Sequence, residues 1–140
     1  MELGTFGAIL KFAMETEENV AKFYKTVSDL VEDQNRAILY QNLFRRGEKR
    51  LKTLERVRRE NVTEMILEPI TGLDSENYKI EAEILSSVQE NEIRDMALSL
   101  ERTLYEFYTH AAGKIDFLIE VSYSFELLAE ANEKAIQSLS

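Results

Sequence analysis

Four glutamates stand at related places in the chain, and they are the side chains best suited to chemistry. Glu17 lies seven residues before Tyr24, which follows Phe23, and Glu101 lies seven residues before Tyr108, which follows Phe107. At similar remove come the steps Glu48-Lys49 and Glu133-Lys134. The copies are offset by 84 residues for the Glu and Tyr positions and by 85 for the Glu-Lys steps. A single Glu on an apolar stripe ordinarily sits at its edge and reaches water. Four in repeat-related places suggest instead a carboxylate-lined interior. Each pair of such charges about 5 Å apart would repel by about 3 kcal/mol at an effective dielectric near 20. Protons, buried Arg or Lys, or metal ions could offset that, and two divalent cations would neutralise four carboxylates completely.

The elements that must position these acids read as helices. In the first, Phe6, Leu10, Ala13, Glu17, Val20, Tyr24, Val27 and Val31 recur at alternating spacings of four and three, which is a bundle seam. Thr5 can cap its start, and Asp33 offers a cap for the next helix. That second helix carries Tyr40, Leu43, Phe44, Gly47, Leu51 and Leu54 inward, with Glu48 one turn from Phe44 and from Leu51. A third seam runs Ala97, Glu101, Leu104, Tyr108, Ala111, Ile115. Asn91 is its expected cap and Gly113 its expected stop. Asp116 would cap a fourth helix with Leu118, Phe125, Leu128, Ala129, Ile136 and Leu139 on its apolar side. The expected helices are 5–31, 35–60, 92–113 and 117–139 in one domain, 1–140. Pro69, Gly72 and Asp74-Ser75 mark turns in a crossover over 61–91, in which 76–89 is expected to form a short amphipathic helix.

Composition agrees with an all-α bundle: one Pro and five Gly in 140 residues leave little punctuation for strands. With no Cys, thiolate metal sites, disulfides and cysteine nucleophiles are excluded. No secretory leader and no run of about 18 apolar residues is read, so a cytoplasmic protein is expected. The net charge of −9 argues against nucleic acid and anionic membranes as partners. Eight of the seventeen basic residues nevertheless fall between Arg45 and Arg59. They read as a solvated helix face or as a docking surface for an acidic partner or nucleic acid. Neither a Gly-rich phosphate loop nor a nucleophile with a His partner is present, and the one His, His110, is expected on the surface.

Two short connections and one long crossover correspond to the ferritin-like arrangement, with a sequential four-helix hairpin bundle as the alternative. On the doubled Glu and Phe-Tyr pattern, the chain resembles ferritin-like proteins of the rubrerythrin family over nearly all of its length. The resemblance implies a di-iron carboxylate site with Glu17, Glu48, Glu101 and Glu133 as metal ligands and Tyr24 and Tyr108 hydrogen-bonded to them. It implies an oxidoreductase or iron-handling role with two divalent ions, iron or manganese; a homodimer is expected besides.

The sequence departs from that family pattern in two respects. Where the family has Glu-x-x-His, this register places Leu51 and Ile136 at the histidine positions. An all-carboxylate site suits hard cations better than tuned redox iron. The family's rubredoxin domain is also absent, so redox turnover would need an external reductant. The alternative is a metal-free ferritin-like scaffold or protein-interaction module. Its glutamates would be protonated, splayed towards water, or paired with Arg such as Arg50 or Arg102.

Overall fold

Helix-capping chemistry and seam spacing divide the chain into two helical hairpins. The computed structural model describes residues 1–64, 69–84 and 87–140. Helix α1 spans Phe6–Leu30, α2 Gln34–Glu60, α3 Glu90–Lys114 and α4 Ile119–Leu139. Thr5 accepts a bond from the Ala8 amide at 3.0 Å, and Asp33 accepts from Asn35 and Arg36, so both expected caps satisfy first-turn donors. The C-terminal hairpin begins otherwise. α3 starts at Glu90 with Gln89 at the cap, and α4 starts at Ile119 after Leu118, so Asn91 and Asp116 cap nothing, and α3 runs one residue past Gly113.

Side-chain pairs fix the directions of the helices. Tyr24 meets Glu101 while Tyr108 meets Glu17, so α1 and α3 run antiparallel. Arg36 pairs with Glu90, and Arg94 donates to the Leu139 carbonyl, which gathers the starts of α2 and α3 and the end of α4 at one end of the bundle. α2 and α3 are therefore parallel, and the crossover must travel the bundle's length to join them.

That requirement explains why residues 76–84 and 87–89 do not form the short helix expected over 76–89, of which 85–86 lie outside the described residues. Only Ser75–Tyr78 is helical in the described part of this segment, as a single 3₁₀ turn. The Tyr78 hydroxyl contacts His110 near the far end of α3, some 30 Å from Glu90 at 1.5 Å per residue. Twelve helical residues would cover only about 18 Å, whereas extended chain covers about 40 Å. Residues 78–84 read Tyr-Lys-Ile-Glu-Ala-Glu-Ile, with Tyr78 buried, Ile80, Ala82 and Ile84 half-buried against the core, and Lys79, Glu81 and Glu83 exposed. This period-two alternation lays an extended strip on the bundle.

The other end of the crossover is clasped to the chain's start. The Leu3 amide donates to the Leu73 carbonyl at 2.8 Å, the Ile70 amide to Gly4 at 2.9 Å, and the Ser75 amide to Met1 at 2.9 Å. Gly72, at φ +82°, supplies the left-handed residue this turn requires. Outside the single bridge between Glu2 and Asp74, no strand pairing occurs among the described residues.

Candidate functional site

The bundle's centre is polar. Among the described residues five polar or charged ones are buried, and four of them, Glu17, Arg50, Glu101 and Asn132, come one from each helix; none of the four exceeds 2% exposure. Each occupies a seam position. On α2 the inward residues are Tyr40, Leu43, Gly47, Arg50, Leu54 and Val57, at spacings of 3, 4, 3, 4, 3. On α4 Val121, Phe125, Leu128, Asn132, Ala135 and Leu139 follow 4, 3, 4, 3, 4. Heptad spacing therefore turns residues 50 and 132 into the interior beside Glu17 and Glu101.

The Arg50 guanidinium lies between the two acids. Its Nε donates to Glu17 Oε2 at 2.8 Å, and its Nη2 stands 3.6 Å from Glu101 Oε2. Tyr108 donates to Glu17 Oε2 at 2.6 Å, and Tyr24 donates to Glu101 Oε2 at 2.5 Å. The Asn132 amide donates to Glu101 Oε1 at 2.8 Å. Both tyrosines are buried, so each hairpin's phenol serves the other hairpin's carboxylate.

The electrostatics follow from burial. Loss of solvent raises the Glu17 carboxyl above its ordinary value, although Arg50 and the Tyr108 bond pull it down. Tyr24 and Tyr108 are raised strongly, first by burial and then by the carboxylates they face. Burial works against the Arg50 charge, but Glu17 and Glu101 outweigh it, and the guanidinium is held more firmly protonated than in water. Several polar atoms of the cluster have no hydrogen-bond partner among the described residues: Glu17 Oε1, Arg50 Nη1 and Nη2, and Asn132 Oδ1. The cluster thus has unused donors and acceptors of both kinds.

The four expected ligands do not converge. Glu17 and Glu101 meet in the core, but Glu48 and Glu133 are exposed, one residue past Gly47 and Asn132 respectively. Leu51 and Ile136 are half-buried at the edge of the seam. The physical reason is register. Selecting apolar residues on α2 favours Leu51, whereas the 3, 4 spacing selects Arg50, and the same shift on α4 selects Asn132 over Glu133. Arg102 is exposed, so of the two arginines considered for pairing only Arg50 pairs with these acids. His110 is exposed and bonds Tyr78 at 2.6 Å.

A pair of metal ions does not fit these residues. Two carboxylates face the centre, a guanidinium lies between them, and no group of three or more His, Cys, Asp or Glu able to hold an ion occurs among the described residues. Arg50 reads from sequence either as part of the basic stretch 45–59 or as a partner of the glutamates, and the heptad spacing from Tyr40 to Val57 is the signal that decides for the second; Asn132 is the residue that the sequence reading missed.

Comparison of the chain with family models, curated proteins and solved structures returns no match.

Proposed function

We propose that this chain is a ferritin-like bundle whose interior charge is balanced by a protein cation rather than by metal, and that it serves as a scaffold or protein-interaction module. The observation that carries the reading is Arg50, 2% exposed, bonded to Glu17 and beside Glu101 at the bundle's centre. Two hairpins joined by a crossover that runs the bundle's length support the ferritin-like part. A buried guanidinium supplies the neutralisation that two carboxylates need, and it does so with fixed geometry. Such a core can hold a surface in shape without taking part in a reaction.

Metal content and thermal response test the reading together. Protein purified without chelator should carry less than about a tenth of an ion per chain, and Fe(II), Mn(II) or a chelator should leave its Tm unchanged, since a ligand that binds the folded state raises Tm. Stoichiometric iron or manganese, or a Tm that rises with either ion and falls with chelator, would overturn it.

A further inference from the structure

A groove of about 570 Å³ lies between α2 and α4, on the outer side of Arg50. Its lining runs from Arg46 to Arg56 on one helix and from Ser124 to Lys134 on the other. At 1.5 Å per residue each wall is about 15 Å long, which is three turns of helix. Leu127 and Leu128 contribute apolar surface, and Arg46, Lys49, Arg56 and Lys134 stand around them with Glu130 as the lone acid in the lining. The Arg50 charge is committed to the core, so the remaining balance is four cations to one carboxylate.

This reverses the sign of the molecule locally, since the whole chain carries −9. Arg46, Lys49 and Lys134 have no ion-pair partner among the described residues, and Arg56 has only an exposed neighbour, Glu60, at 3.8 Å. Beyond the groove, α4 continues its apolar line through Tyr123 and Ile119, which are 60% and 80% exposed and recur every four residues from Leu127. Three large apolar side chains left in water on one helix, beside an unpaired basic rim, form a surface with two complementary requirements.

We propose that the α2/α4 groove is a docking site for an acidic amphipathic helix of a partner protein. An apolar stripe on that helix covers Leu127 and the residues leading to Ile119, and its flanking Asp or Glu meet Arg46, Lys49, Arg56 and Lys134. The site's length, its apolar floor and its rim charge all match one such helix. A second copy docked groove to groove about a twofold axis would set cationic rims against each other. Nucleic acid would answer the basic rim but leave the apolar strip of Leu127, Tyr123 and Ile119 without an apolar counterpart. The inference deepens the interaction-module reading by giving the module a partner chemistry.

The test titrates the full chain into a fluorescent synthetic peptide of about 16 residues, with Leu at three- and four-residue spacing and Glu on both flanks. Controls are the same composition with the Leu positions scrambled and a peptide with Lys replacing Glu. The acidic amphipathic peptide should bind and both controls should not. The double variant Lys49→Glu/Lys134→Glu should weaken binding about tenfold or more. Leu127→Asp should weaken it comparably. All three sites are exposed, so the fold survives these changes, and circular dichroism checks it. Scrambled-peptide binding of equal strength, no binding at all, or affinity unchanged in the variants overturns the proposal. So does a dimer in sedimentation that Leu127→Asp abolishes, or tighter binding of an oligonucleotide that the double variant abolishes. Metal content is measured on the same preparation. Metal-loaded protein that binds the peptide fails the metal-free reading alone, and metal-free protein that ignores it fails this proposal alone.

Discussion

Arg50 holds one positive charge among two carboxylates and two phenols, all removed from water. Replacing it with Met would keep the volume but leave Glu17 and Glu101 without a counter-charge. Removing one partner of a buried pair costs about 3–5 kcal/mol, so the Arg50→Met variant should unfold roughly 10 °C or more below the parent. The loss should be pH-dependent in a stated direction. Burial already raises the folded Glu17 carboxyl above 4.5, and without Arg50 the principal influence opposing that rise is gone. A group raised in the folded state contributes fully below its unfolded value and loses that contribution as pH rises through the folded one. The variant's Tm deficit should therefore shrink as pH falls from 7 towards 5. Thermal melts of both proteins across that range check it, and a deficit that stays constant or widens in acid refutes the assignment. Asp74 and Glu76 are lowered by bonds to the N-terminus and Lys79 respectively and weaken the fold in acid, but they do so equally in both proteins and cancel in the difference.

Gly47, one turn before Arg50 on α2, is what an inward-facing helix position looks like when a guanidinium lies beside it. A methyl group there would come no closer than 3.7 Å to Arg50 Nη2, which is ordinary contact. Gly47→Ala should then stabilise the protein by about 0.5–1 kcal/mol through the helix backbone. Gly47→Leu should destabilise it, because a branched chain would compete for the guanidinium's place. Chemical denaturation of both variants measures the pair, and equal losses from Ala and Leu would show that the space beside Arg50 is already full. At this scale the helices were legible in the sequence, for Thr5, Asp33 and the seam of α1 carry the signals that the physics uses. The site was legible only in part. Glu17 and Glu101 sit on stripes whose neighbours are apolar, so periodicity found them. Arg50 and Asn132 sit on equally regular stripes, but a search for apolar residues goes from Gly47 to Leu51 and from Ala129 to Ile136, so Arg50 enters only as a possible partner of the acids and Asn132 not at all. The crossover was misread for a comparable reason. Tyr78 to Ile84 alternates with period two, and only the distance to be covered shows that the alternation outweighs helix propensity.

The two hairpins are related halves, and their exchange of phenols ties them together: Tyr24 completes Glu101, and Tyr108 completes Glu17. The relation ends at the centre: at the 85-residue offset of the Glu-Lys steps, Gly47 and Arg50 of α2 answer to Asn132 and Ala135 of α4, so each half sends its polar side chain inward from a different seam layer. Consider the same bundle made from two identical hairpins. Two copies of the first would bring two arginines to the two carboxylates, and two copies of the second would bring two asparagines and no cation. One Arg and one Asn require that the two halves differ. It follows that the cation need not come from α2. The exchanged variant Arg50→Asn/Asn132→Arg should recover a substantial part of the stability that Arg50→Asn alone loses, a coupling of about 1–3 kcal/mol between residues that both meet Glu101. A double-mutant cycle by chemical denaturation measures it, and strict additivity would show that only α2 can deliver the charge. The charge balance of the core is thus set by a difference between the halves: neither half, doubled, would supply one cation for two carboxylates.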